Sequence, residues 1–189
     1  TQGNPMIKWV ALGDTSGAVA KEKGFAESEI AEIIRLKESG GRLRDHGGKV
    51  EHLDGMGEAL GNFSLDALVD VTASQTFDLI NRALGYASVV TANKIPIADV
   101  KYGKYERMVS KARDEGRVLD IGTTVGAGMR IPDLITGMCS TGVDRLTGCL
   151  SGTMSFVSQR LNQGETLSSA VKEAMEPPRS YTEPDPRVD

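Results

Sequence analysis

The sequence is short of the residues that build metal centres and covalent cross-links. It has two cysteines and two histidines among 189 residues. Cys139 and Cys149 do not form a Cys-x-x-Cys pair, and His46 and His52 lie far from them in a Gly-rich, charged stretch. So dispersed, they do not make a zinc site. The thiols read as buried or idle in a reducing cytoplasm. No apolar run approaches the ~20 residues of a membrane span. The opening residues, Thr1-Gln2-Gly3-Asn4-Pro5, carry neither the charge nor the apolar core of a signal peptide, so the expected location is cytoplasmic. Lys and Arg number 22 and are scattered among 26 Asp and Glu, a net charge of −4. That leaves no basic stripe for a phosphate backbone and argues against nucleic acid as a partner. Internal repeats and low-complexity tracts are absent too.

What is present is an alternation of short apolar runs and amphipathic segments. Ile7 to Gly13 reads as a strand closed by Asp14, with a turn-rich piece from Thr15 to Gly24. A helix is expected from Ser28, with Ile30, Ile33 and Ile34 at helical spacing, stopped by Gly40 and Gly41. Arg42 to Asn62 reads as a loop with one short element at most. Then come strands at Ala67–Val71, Ala87–Val90 and Val118–Ile121, separated by helices around Phe77–Leu84 and Met108–Ala112. Strands of four to six residues alternating with helices of about ten describe an α/β protein with a parallel sheet covered on both faces. After Ile121 the rhythm changes. A loop of small residues, Gly122 to Gly128, precedes a helix near Pro132–Met138, a strand near Leu146–Leu150, and helices at Met154–Leu161 and Leu167–Met175. A domain boundary is therefore expected near Gly122, giving a first domain of residues 1–121 and a second of 122–189.

Ligands of an open parallel sheet bind outside the carboxyl ends of its strands. Asp14, Thr72-Ala73-Ser74 and Asn93-Lys94 all fall at such ends. Each also has a plain structural explanation: a turn former, helix N-caps and a surface lysine. Three polar clusters in one alternating domain favour a shared crevice. Ser151-Gly152-Thr153 repeats the pattern where a strand gives way to a helix, whose N-terminus suits a small carboxylate. Ordinary capping explains it equally well. Near the end stands Tyr181-Thr182-Glu183-Pro184-Asp185-Pro186-Arg187. Each acid precedes a proline and so sits on extended backbone in a restricted direction, as a carboxylate meeting a small cationic group would. Taken alone, the stretch fits an unstructured acidic tail as well.

In order, the motifs Val69-Asp70-Val71-Thr72-Ala73-Ser74, Val89-Val90-Thr91-Ala92-Asn93-Lys94, Thr124-Val125-Gly126-Ala127-Gly128, Leu150-Ser151-Gly152-Thr153 and Tyr181 to Arg187 resemble those of homoserine dehydrogenases. The resemblance covers most of Leu68 to Asp189, and Asp14-Thr15-Ser16-Gly17 fits the family's second sheet strand more loosely. It implies a Rossmann-type parallel sheet followed by the start of an α+β catalytic and dimerisation domain. The implied activity is NAD- or NADP-dependent interconversion of L-homoserine and L-aspartate 4-semialdehyde, on the way to threonine and methionine. Lys94 would be the catalytic residue, polarising the reacting oxygen. Gly152, Thr153, Tyr181, Glu183 and Asp189 would hold the amino-acid substrate with Lys94, and Glu183 would take its ammonium group. Asp14, Thr72, Ala73, Ser74 and Ser180 would line the cofactor with Lys94. Asp14 would favour NAD, whereas Lys21 and Lys23 would suit a 2′-phosphate. Backbone carbonyls of Gly122, Val125, Ala127 and Met129 would hold a sodium ion. A homodimer is implied for the full-length parent.

The chain also departs from the family pattern. No Gly-x-Gly-x-x-Gly follows a first strand, because the Gly13 to Gly17 run has the wrong spacing. The sequence thus reads as an internal fragment lacking the first βα unit and the later part of the catalytic domain, with little or no turnover expected of it alone. Gly122 stands where the family usually has Glu, Arg130 where it usually has Pro, and Ser180 replaces a Gly. Two other readings stay open: a non-catalytic small-molecule-binding remnant of a dehydrogenase fold, and a dehydrogenase of another small amino-acid-like substrate.

Overall fold

The computed structural model describes residues 7–139 and 141–177. Ser180, Tyr181, Glu183 and Asp189 lie outside the described residues. In chain order the elements are β1 (Ala11–Asp14), β2 (Gly17–Ala20), α1 (Glu27–Glu38), a 3₁₀ turn (Leu43–Asp45), β3 (Glu51–Leu53), α2 (Met56–Asn62) and β4 (Ala67–Asp70). There follow α3 (Phe77–Ala83), β5 (Ser88–Thr91), α4 (Ile95–Ala98), α5 (Tyr102–Asp114) and β6 (Leu119–Asp120). A second 3₁₀ turn (Ala127–Met129) leads to α6 (Ile131–Cys139), α7 (Gly152–Asn162) and α8 (Leu167–Met175).

The expected parallel sheet is formed by β4, β5 and β6, in that order. β4 and β5 alternate along their length. Leu68 and Asp70 of β4 and Val89 and Thr91 of β5 are buried, while Val69 is 48% and Val90 37% exposed. One face is therefore covered, not both as the strand pattern suggested.

The first strand is not part of this sheet. β1 turns back through Thr15-Ser16 into β2, pairing Leu12 with Val19 and Asp14 with Gly17, and β2 pairs in turn with β3. Local chemistry makes the reversal. The Asp14 carboxylate accepts from the backbone N–H of Ser16 at 2.7 Å and from its hydroxyl at 2.6 Å, the turn that Asp favours. Gly17 has φ +145°, and a Cβ there would lie 2.8 Å from the Leu53 carbonyl oxygen, so only glycine fits. The stretch from Thr15 to Gly24 thus contains a strand. It was disguised because β2 is made of small apolar residues buried on both faces: Ala18 and Ala20 pack with Leu53 and Ala59, and Val19 packs with Ile33 and Leu43. The glycine-rich Arg42–Asn62 segment likewise holds a 3₁₀ turn, a strand and a helix rather than one element.

Two compact units result. The first comprises residues up to Val69 with Thr76–Val90 and Tyr102–Leu119. The second takes Asp70–Gln75, Thr91–Lys101 and the residues from Asp120 onward. The loops after β4 and β5 therefore group with the later part of the chain. In the second unit α7 and α8 pack through Val157, Ala170 and Ala174, and Arg160 of α7 is bonded to Glu173 of α8. The strand expected near Leu146–Leu150 is absent. Among the described residues that stretch has no partner strand, and Leu146 is 53% exposed. An unpaired segment gains none of the ladder bonds that define a strand.

Candidate active site

The polar ends of β4 and β5 are locked together by a buried network in the second unit. Asp70, Thr91 and Asn93 are all nearly inaccessible to solvent. Asp70 Oδ1 accepts from the N–H of Thr72 at 3.0 Å and from its hydroxyl at 2.8 Å. Asn93 Nδ2 donates to the Ser74 carbonyl at 2.7 Å, to Thr72 Oγ1 at 3.1 Å and to Asp70 Oδ2 at 3.3 Å. Its amide oxygen accepts the N–H of Ile95 at 3.1 Å, and Thr91 Oγ1 accepts the N–H of Asn93 at 3.0 Å. A fully bonded network of this kind holds its loops in one arrangement. It leaves Thr72, Ala73 and Ser74 exposed on the loop after β4, and it fixes where Lys94 emerges at the start of α4.

Lys94 borders a cavity of about 580 Å³. The rest of its lining comes from the loop Thr123–Ala127 with Met129, and from the segment Cys149–Thr153 with Ser155. Lys94, Gly152 and Thr153, distant in sequence, therefore meet at one cavity. Ser151 caps α7, its hydroxyl accepting the N–H of Met154 at 3.1 Å. The first turn of an eleven-residue helix thus faces the cavity with its positive dipole end. The volume suits a small ligand. Of the two alternatives, buried or idle thiols, burial is excluded: both cysteines are free and exposed, and Cys149 lines the cavity.

The loop wall is shaped by Gly126 (φ +72°), Ala127 (φ +46°) and Arg130 (φ +50°), all in the left-handed region. Arg130 Nη2 donates to both oxygens of Asp120, at 3.1 and 3.0 Å, and its Nε donates to Asp133 at 2.5 Å. Asp120 also accepts the N–H of Gly122 at 2.8 Å. That backbone bond, reinforced by Arg130, holds the Asp120 carboxyl below the usual carboxylate range despite some burial, which opposes it.

The sequence model of the homoserine dehydrogenase family matches residues 132–189. A homoserine dehydrogenase from Pyrococcus horikoshii is 25% identical over 168 residues, 87% of this chain and 50% of that protein. A bifunctional aspartokinase/homoserine dehydrogenase 2 of Zea mays is 30% identical over 97% of this chain and 19% of its own length. Among solved structures, a hyperthermophilic archaeal homoserine dehydrogenase in complex with NADPH superposes with a TM-score of 0.65, at 25% identity, over 88% of this chain and 50% of that one. A mutant of such an enzyme, also with NADPH, gives 0.70. The chain is a relative of the homoserine dehydrogenases. It spans half, or less, of the length of these relatives.

Set beside the homoserine dehydrogenase pattern, the substrate and cofactor residues named from sequence fall into four groups. Lys94, Gly152 and Thr153 share the cavity. Thr72, Ala73 and Ser74 are exposed at the strand end, braced by Asn93. Asp14 is engaged internally: its carboxylate accepts from Lys37 at 2.6 Å and Leu43 N–H at 3.1 Å besides the two Ser16 bonds. Burial opposes its ionisation, but these donors together hold its carboxyl far below the ordinary range. Ser180, Tyr181, Glu183 and Asp189 lie outside the described residues.

The proposed sodium ligands, Gly122, Val125, Ala127 and Met129, fit a metal ion poorly. The Ala127 carbonyl already accepts the N–H of Arg130 at 3.2 Å. A Cβ on Gly122 would lie 2.6 Å from the Arg130 guanidinium carbon, so the space beside Gly122 is taken by the Arg130 side chain and its carboxylate partners. Among the described residues no group of three or more His, Cys, Asp or Glu side chains is placed to hold a metal. No described helix is long and apolar enough to cross a membrane.

Sequence reading placed Asn93 beside Lys94 at a strand end but gave it no role, and it did not single out Asp70 or Thr91. The signal for them was an acid at the end of an apolar strand followed two residues later by Thr72, a pattern that local side-chain–backbone bonding favours.

Proposed function

We propose that this chain carries the substrate-binding side of an NAD(P)-dependent homoserine dehydrogenase, interconverting L-homoserine and L-aspartate 4-semialdehyde. The observation that carries the reading is the cavity that joins Lys94 to Gly152 and Thr153 at the capped N-terminus of α7. The helix end binds the substrate carboxylate through free N–H groups. The Lys94 ammonium faces the reacting oxygen, where positive charge stabilises a developing alkoxide and a proton can be delivered. Glu183, by its place in the Glu-Pro-Asp-Pro motif, takes the substrate ammonium.

The exposed Thr72–Ser74 loop, at the carboxyl end of a parallel strand, fits a nicotinamide cofactor. Bound there, the cofactor supplies or accepts the hydride. With its carboxylate occupied by Lys37, Ser16 and Leu43, Asp14 loses its claim on a ribose hydroxyl. NADPH is therefore the first cofactor to test. A homodimer and a role in amino-acid biosynthesis belong to the same proposal.

The test is titration of the purified chain with L-homoserine, with and without NADPH, followed by amide NMR. We expect saturable shifts at Lys94 and Gly152–Thr153 that tighten when NADPH is present, since coupled sites influence each other reciprocally. Shifts indifferent to NADPH would favour a non-catalytic binding remnant. No shift at millimolar homoserine would overturn the assignment.

A further inference from the structure

The loop that forms part of the cavity wall ends on a charged residue just outside the lining. Arg130 is the single charged residue between Gly122 and Arg130. Its planar fork meets both oxygens of Asp120 and one of Asp133, a geometry that Lys cannot reproduce. One anchor lies at the end of β6, before the loop, and the other in the first turn of α6, after it. The guanidinium therefore ties the two ends of the loop together. This is the task a bound cation performs when it gathers oxygen ligands from one segment.

The position opposite is equally specific. A Cβ at Gly122 would meet the guanidinium carbon at 2.6 Å, its Nη2 at 2.7 Å and Asp133 Oδ2 at 2.8 Å. Any side chain there would force the guanidinium and the Asp133 carboxylate to shift from their present contact. Gly122 and Arg130 form an interdependent pair: the absence of a side chain at one is the room for the other.

We propose that the Arg130 guanidinium is the resident cation of this loop, admitted by Gly122 and held by Asp120 and Asp133, and that it fixes the cavity wall without a metal ion. The proposal does not depend on the substrate assigned above.

Two measurements on the purified chain test it. In the first, the melting temperature and the hydrogen exchange of residues 122–130 are compared in sodium, potassium and tetramethylammonium chloride at constant ionic strength. We expect no difference between the salts. A rise in melting temperature or exchange protection specific to sodium or potassium would overturn the proposal. The second is a double-mutant cycle with Gly122→Ala and Arg130→Met. Each single change should lower the melting temperature by about 2–4 °C and speed exchange in the loop, and the double variant should lose no more than either alone. Additive losses would show that the residues act independently and would also overturn it. If a variant fails to fold, the salt comparison on the unaltered chain still decides.

Discussion

Asn93 donates its side-chain amide to the backbone carbonyl of Ser74 at 2.7 Å, tying the loop after β5 to the loop after β4. It sits immediately before Lys94, so the bond that closes the network also fixes the root of the one cationic side chain lining the cavity among the described residues. Asn93→Ala should destabilise the chain by about 2–3 kcal/mol, because Asp70 and Ser74 lose a donor in a buried setting. Asn93→Asp should be worse, since it sets a second carboxylate beside Asp70. Urea unfolding of the three proteins checks the order.

Lys94 is exposed, so its replacement should separate binding from stability. Lys94→Ala should change stability by less than about 0.5 kcal/mol while weakening L-homoserine binding at least about tenfold, the equivalent of 1.4 kcal/mol. Calorimetric titration beside thermal melts checks both. Unchanged affinity would remove Lys94 from the site.

Ser151 caps α7 through the N–H of Met154. Ser151→Ala should cost about 1 kcal/mol, whereas Ser151→Asp should keep the cap and place a negative charge at the helix end. If that end receives a carboxylate, the Asp variant should fold normally yet bind homoserine more weakly than the Ala variant. Thermal melts and titrations of both variants measure this.

The hairpin between β1 and β2 gives a pH prediction. Asp14 has a lowered pKa in the folded chain, against ~3.9 when unfolded. Between those values the unfolded chain binds the extra proton, so stability rises with pH there. The contribution is fully present above the unfolded value and is lost as pH falls below it towards the folded one. Asp14→Asn should lower stability at neutral pH by about 1–3 kcal/mol, because its amide faces the donors Lys37 and Leu43. It should also flatten the decline in acid. Unfolding midpoints from neutral pH down to about pH 3 check the sign.

Much of this was legible in the sequence where one local rule dominated. The helix from Leu167 to Met175 was readable to the residue, because Thr166 caps it and Ala170 and Ala174 recur at helical spacing on its buried side. The strands β4 and β5 were readable from their apolar residues and polar ends. β2 was not, because a run of small residues buried on both faces has no alternation to see. Nor was the missing Leu146–Leu150 strand, since its residues have strand character but no neighbour to pair with among the described residues.

The sequence by itself determined the α/β rhythm, the polar strand ends and the motifs that mark a homoserine dehydrogenase relative, because each depends on a residue and its near neighbours. Tertiary structure alone decided that Lys94 and Thr153 share a cavity, that Asp14 is occupied by Lys37, and that Arg130 stands against Gly122. Those are contacts between segments whose separation along the chain says nothing about distance, and they are set by how helices and sheets bury their apolar faces together.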